Sequence, residues 1–189
     1  EKLPEELKNL VIHEVNERVL IPYENGTFWW ETLNSNWAAV CAGSIGMAYM
    51  QIAPDRFENV KERLLGTIDC YLAGYGDDGC CIEGTAYWEY GFGYFINFAD
   101  MLYKFTDGKT NLMRSEKVKN IAMYLQSVIM RKNISVSFSD SGRVFDGTSI
   151  GLYSYLRDKF GIEILSAVKE IHSRYSSWCK LSYIVRNFM

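Results

Sequence analysis

The nine residues "EGTAYWEYG", Glu83 to Gly91, place two glutamates, two tyrosines, one tryptophan and two glycines at the predicted start of a helix. A helix that only filled a core would favour leucine-like side chains over polar rings. Tyr87, Tyr90 and Tyr94 follow at spacings of three and four residues, so they share one helical face. This aromatic and polar face is the first candidate for function.

The same helix, predicted from about Thr85 to Phe105 with Thr85 as its N-cap, has a second face that is apolar. Its members predict the core stripe: Trp88, Phe92, Phe95, Ala99 and Leu102. Gly91 and Gly93 each lower helix stability by about 1 kcal/mol relative to alanine, so they predict a neighbour that needs room. Glu83, just before the helix, is expected to orient a tyrosine or stabilise the helix end.

A second polar helix start lies in "WWETLNSNWAAVC", Trp29 to Cys41. Asn34, Ser35 and Asn36 are all residue types that cap helices, and capping accounts for one of them. Three tryptophans surround this start: Trp29, Trp30 and Trp37. Helix N-termini present free N–H groups and the positive end of the dipole, which favours anions. Two polar helix starts ringed by aromatic residues therefore predict a site for an acidic sugar, although buried tyrosines with satisfied hydroxyls remain the alternative.

Helical periodicity dominates the rest of the chain and predicts an all-α protein whose successive helices are antiparallel neighbours. Besides the helix just described, helices are predicted after Pro4, near Asn34, around Val60–Leu72, after the N-cap Ser115, over Thr148–Phe160 and over Glu163–Tyr175. The run from Asn34 to Ile52 is rich in small residues, which predicts close contact with neighbouring helices. One extended stretch is predicted in "ISVSFSDSGRVFDG", residues 134–147.

Length and composition restrict the class of protein. A chain of 189 residues, 48% hydrophobic, is long enough for one compact domain with a sizeable core. A net charge of −3 with mixed signs gives no footprint for nucleic acid, and no apolar run predicts a membrane span. The five cysteines contain no CxxC pair, so no metal site or cofactor is predicted. Unpaired thiols favour a reducing, cytoplasmic compartment.

Three blocks stand in a fixed order: "LNSNWAAVCAGSIGMAYM" (33–50), "YGDDGCCIEGTAYWEYGFGYF" (75–95) and "SFSDSGRVFDG" (137–147). In this order they resemble the heparinase II/III-like family of polysaccharide lyases. The resemblance implies an incomplete (α/α) toroid of antiparallel helical hairpins, followed in the family by a β-sandwich domain. Residues 1–189 then form a single helical toroid domain of a longer protein, without that sandwich. The family also allows a secreted or periplasmic location.

Lyases of this family act on uronate-containing polysaccharides by β-elimination, so the resemblance implies an acidic polysaccharide or oligosaccharide as partner. It implies that Asn36 neutralises the C5 carboxylate and that Tyr87 acts as base or acid, with Tyr90 as the alternative. The implied substrate-binding residues are Trp30, Asn34, Trp37, Glu83 and Trp88. In the studied lyases a histidine follows the asparagine, whereas Trp37 stands there in this chain.

Two other functions stay open. A glycoside hydrolase of toroid type needs two carboxylates across a cleft, about 5 to 9.5 Å apart. Glu83 paired with Asp77, Glu89 or Asp140 would supply them. A non-catalytic carbohydrate-binding or scaffold domain is the third reading, favoured by Trp37 and by the missing sandwich domain.

Overall fold

The computed structural model describes residues 4–131, 134–144 and 149–162. Its α-helices are Glu5–Val15 (α1), Ile21–Asn25 (α2), Asn36–Ile52 (α3), Phe57–Ala73 (α4), Thr85–Tyr87 (α5), Gly93–Phe105 (α6), Glu116–Val128 (α7) and Ile150–Phe160 (α8). π-Helical turns at Asn16–Leu20 and Trp88–Phe92 join α1 to α2 and α5 to α6. We call the continuous helix Thr85–Phe105 the aromatic helix.

The predicted all-α class is confirmed, because helices take up 72% of the described residues and strands only 4%. The aromatic helix spans its predicted range, and every side chain of its predicted core stripe is fully buried. Ser115 caps α7 as predicted, since its side-chain oxygen accepts a hydrogen bond of 3.2 Å from the backbone N–H of Val118. No helix in the described part of the chain is long and apolar enough to cross a membrane.

Close contacts at glycines show the direction of α3 relative to its neighbouring helices. A Cβ at Gly74, just after α4, would overlap the carbonyl oxygen of Asn34, just before α3. The end of α4 therefore lies at the start of α3, and the two helices form the predicted antiparallel hairpin. Gly43 lies against the carbonyl of Tyr94, and further along the helix a Cβ at Gly46 would overlap the Phe98 ring. Hence α3 and the aromatic helix run parallel, in the close contact that the small residues predicted.

Helices α7 and α8, towards the C-terminal end of the described chain, also pack on the aromatic helix. The Trp88 indole N–H donates to the carbonyl of Ile121 over 2.7 Å, which joins the start of the aromatic helix to the middle of α7. The Tyr155 hydroxyl of α8 lies 3.0 Å from a carboxylate oxygen of Asp100, and the Lys159 ammonium lies 5.6 Å from the Tyr103 ring centroid. Thus α8 runs parallel to the aromatic helix, as in hairpins stacked side by side.

Two elements differ from expectation. The extended segment forms only the short antiparallel pair β1 (Ile129–Arg131) and β2 (Ile134–Ser135), with a bridge from Ile134 to Val144. After β2 the chain turns at Ser139, whose φ is 49°. Helix α1 has the predicted start after Pro4. Its predicted apolar stripe is Leu7, Leu10, Val11 and Val15, of which the first three are exposed and Val15 packs against the core. The helix predicted over residues 163–175 lies outside the described residues.

The contact between α3 and the aromatic helix gives a matched test. Gly46→Ala adds a methyl group against the fully buried Phe98, and such overpacking typically costs about 1–3 kcal/mol. Gly66→Ala lies in exposed space in the middle of α4, where alanine favours the helix by about 1 kcal/mol over glycine. Urea denaturation should show a lower free energy of unfolding for the first variant and a higher one for the second. Equal effects would contradict the close contact between Gly46 and Phe98.

Candidate functional site

The start of α3 is capped by a carboxylate from a distant part of the chain. Glu83 accepts hydrogen bonds from the backbone N–H of Asn36 over 2.8 Å and from the Asn36 side-chain amide over 2.7 Å. Ser35 occupies the N-cap position, yet its buried hydroxyl has no partner among the described residues. The expectation that one of the three polar residues caps α3 through its own side chain is therefore wrong. Glu83 itself fills the predicted anion position.

The start of the aromatic helix is also capped from elsewhere. The Ser141 hydroxyl accepts a hydrogen bond of 2.5 Å from the backbone N–H of Thr85 and lies 3.2 Å from the Thr85 hydroxyl. The prediction of Thr85 as N-cap is wrong, because Thr85 is the first helical residue and follows Gly84. Gly84 has a φ of 88°, and a Cβ there would overlap Ser141. The two caps connect all three sequence blocks in space.

The glycine at position 91 brings the two helix starts together. A Cβ on Gly91 would lie 2.9 Å from the Cβ of Asn36 and 3.2 Å from the hydroxyl of Tyr71. The prediction that Gly91 makes room for a neighbour is confirmed, and the neighbour is α3. Beneath this contact the hydroxyls of Tyr71 and Tyr75 lie 2.5 Å apart, and burial raises the pKa of both phenols. Both therefore support the site from below as neutral groups.

The predicted tyrosine face is half-buried along its length: Tyr87, Tyr90 and Tyr94. Tyr90 and Tyr94 pack edge to face with ring centroids 5.3 Å apart. Partial burial, reinforced by Tyr94 and the Cys41 thiol, raises the pKa of Tyr90, so this phenol stays protonated at neutral pH. No described residue forms a hydrogen bond with the Tyr87 hydroxyl, which leaves it available to a ligand.

The tryptophans divide into exposed and buried ones. Trp29 and Trp37 are 64% and 52% exposed, and their ring centroids lie 5.4 Å apart at an angle of 56°. Trp30 is 7% exposed and stacks on Phe28, while Trp88 is fully buried, so both act in packing. Of the predicted tryptophans, only Trp37 offers a face to solvent. Trp29, which is not among the predicted substrate-binding residues, is the more exposed ring of this pair.

The loop that carries Trp29 is held in place by Arg63 of α4. The Arg63 guanidinium donates to both carboxylate oxygens of Glu31, each over 2.6 Å, and to the carbonyls of Tyr23 and Gly26. It also stacks over the Tyr23 ring at 4.0 Å. Because Glu31 lies two residues from Trp29, this ion pair fixes the loop beside the start of α3.

The remaining predicted site residues are placed as follows. Asn34 is exposed, and its carbonyl oxygen lies against Gly74. Of the acids considered for a hydrolase, Glu83 is held by Asn36, Glu89 is 7% exposed, and Asp77 and Asp140 lie exposed in turns.

The described part of the chain contains neither a candidate metal site nor a disulfide bond. No group of three or more histidine, cysteine, aspartate and glutamate side chains there is arranged to hold a metal ion. Cys41, Cys70, Cys80 and Cys81 are free thiols, as expected for unpaired cysteines.

No protein-family model and no curated protein matches the sequence.

Removal of the Glu83 carboxylate tests the cap of α3. Glu83→Ala leaves the Asn36 N–H groups unpaired in a mostly buried place, which should lower the free energy of unfolding by about 1–3 kcal/mol. Glu83→Gln keeps one acceptor and should lose less. The exposed Glu62→Ala on α4 is the control, with little expected change. Denaturation in urea measures all three, and a loss in Glu83→Ala no larger than in the control would contradict the cap.

The Glu31–Arg63 pair predicts a dependence on acid. The hydrogen bonds from Arg63 hold the pKa of Glu31 below its ordinary value of 4.5. A lowered folded-state pKa contributes stability above 4.5 that is lost as the pH falls through the folded value. Unfolding free energies measured between pH 6 and about pH 3 should therefore fall less steeply for Glu31→Gln than for the wild type. Identical slopes, with Glu62→Gln as control, would contradict this role.

Proposed function

We propose that this chain is a polysaccharide lyase-like domain that binds a uronate-containing polysaccharide and contributes to β-elimination. The exposed pair of Trp29 and Trp37 is the observation that carries the proposal. Two large rings in water suit a sugar, and they lie beside the place where the two helix starts meet, at Asn36, Glu83 and Tyr87, which we call the junction. Asn36 lies next to Trp37 at that junction. The family resemblance of the three sequence blocks, which the two caps connect, supplies the reaction class.

Different residues of the junction would carry out the steps of the reaction. In β-elimination the base takes the C5 proton, the C4–O bond breaks, and a double bond forms between C4 and C5. Tyr87 is the proposed base, and its hydroxyl forms no hydrogen bond with any described residue. Tyr90 has a raised pKa and is the proposed alternative, better suited to return a proton to the leaving oxygen. Asn36 has one amide N–H beyond the bond to Glu83.

A second candidate is a carbohydrate-binding domain without turnover. Glu83 already accepts the backbone and amide N–H groups of Asn36, so its negative charge lies where the substrate carboxylate would be neutralised. Trp37 also stands where the family has a histidine. Both observations favour binding over catalysis. The β-sandwich domain that the resemblance implies belongs to the first candidate, which needs a further catalytic group.

The experiment is incubation of the longest natural form of the protein with a panel of uronate polysaccharides, followed by ultraviolet absorbance of the unsaturated product. Tyr87→Phe should remove the phenol that moves the proton and reduce the rate by about 100-fold or more. Tyr103→Phe, at the exposed far end of the same helix, should leave the rate unchanged.

The controls separate the two candidates. Binding of a polymer without new absorbance or new reducing ends would favour the non-catalytic domain. New reducing ends without the unsaturated product would indicate a hydrolase. Absence of both binding and turnover across the panel would overturn the proposed function.

A further inference from the structure

Arg143 lies in the third sequence block, directly after the turn that caps the aromatic helix. Ser141 contacts Thr85 and packs on Gly84, which places this turn against the residue that follows Glu83. The backbone of Arg143 is itself held, because its carbonyl accepts a hydrogen bond of 3.0 Å from the N–H of Ser135. Arg143 is therefore a fixed part of the same end of the molecule as the candidate site.

The charge of Arg143 is not used within the described part of the chain. Its side chain is exposed and forms no ion pair with any described residue. By contrast, Arg63 is bound to Glu31 and Arg56 to Glu24. An unpaired guanidinium next to a polar junction is available to an external anion.

The negative charge of Glu83 beside Asn36 gives an acidic ligand a reason to need such a cation. Glu83 contributes a carboxylate that is satisfied by N–H groups of Asn36 and not by a basic side chain. A uronate approaching Asn36 therefore meets a like charge, which disfavours binding unless a positive group lies close by. A guanidinium suits this task because it binds a carboxylate through two parallel N–H···O bonds.

The distances along the chain bring Arg143 within reach. Two residues of extended chain span at most about 7 Å, and an arginine side chain adds a similar length. Tyr87 lies two residues beyond Thr85, which is a rise of about 3 Å along the helix. The guanidinium can thus reach the first turn of the aromatic helix from the Ser141 cap.

We propose that Arg143 binds the carboxylate of the sugar at this site and selects anionic chains over neutral ones. The inference rests on the proposed function in one respect, that a sugar binds at this junction.

The test is titration of the protein with tetrasaccharides of galacturonate, mannuronate and hyaluronan, and with neutral cellotetraose, followed by the fluorescence of the exposed tryptophans. Arg143→Gln should weaken binding of the acidic tetrasaccharide about tenfold, whereas Arg143→Lys should retain part of it. The neutral tetrasaccharide should be unaffected. Arg131→Gln, which removes an exposed arginine from β1 of the same hairpin, is the matched control and should bind as the wild type does.

Each outcome decides between the two proposals. If the wild type binds an acidic tetrasaccharide and Arg143→Gln binds it equally well, the role of Arg143 is overturned while the sugar site stands. If the wild type binds only neutral chains, or both kinds equally, selection by Arg143 is also overturned. If the wild type binds none of the probes, the proposed function fails and this inference fails with it. Thermal unfolding of each variant checks that the exposed substitutions leave the fold intact.

Discussion

The hydrogen bonds of Glu83 with Asn36 are the contact on which the arrangement of this end of the molecule depends. A helix start leaves backbone N–H groups without partners, and those groups need acceptors when the start is buried. Here the acceptor comes from the loop before the aromatic helix. That helix in turn takes its cap from Ser141, in the hairpin that follows α7. The starts of α3 and of the aromatic helix are thus both completed by a segment that comes later in the chain.

This arrangement changes what the helix starts can do. A free N-terminus attracts an external anion through its N–H groups and its dipole. At α3 the first backbone N–H, that of Asn36, is already bound to the Glu83 carboxylate, so the acidic ligand proposed above would need other groups to hold it. The exposed faces of Trp29 and Trp37 can stack on a sugar ring, but they do not neutralise a charge. The cap by Glu83 therefore leaves the neutralisation of an acidic ligand to a separate cation, the role proposed for Arg143.

Sequence periodicity predicted the helices well because it reports local geometry. The core stripe of the aromatic helix and the cap at Ser115 both depend on residues within one or two turns. The caps of α3 and the aromatic helix depend on partners 47 and 56 residues away, which no local pattern contains. Trp29 and Trp30 are adjacent and chemically identical, so the sequence does not indicate which of the two rings is buried. Stacking of Trp30 on Phe28 buries one ring and leaves the other in water.

The parallel packing of α3 and the aromatic helix explains why the functional candidates gather at one end. Gly91 lies against Asn36, and further along Gly46 lies against Phe98, so the two helices start together and advance together. The loops that enter both helices must then meet at the shared start. Since the glycine contacts leave no space for adjustment between the helix backbones, those loops are the part of the site that substitutions can alter without moving the helices. If the proposed sugar site is correct, its ligand preference depends on the residues around the caps rather than on the helix interiors.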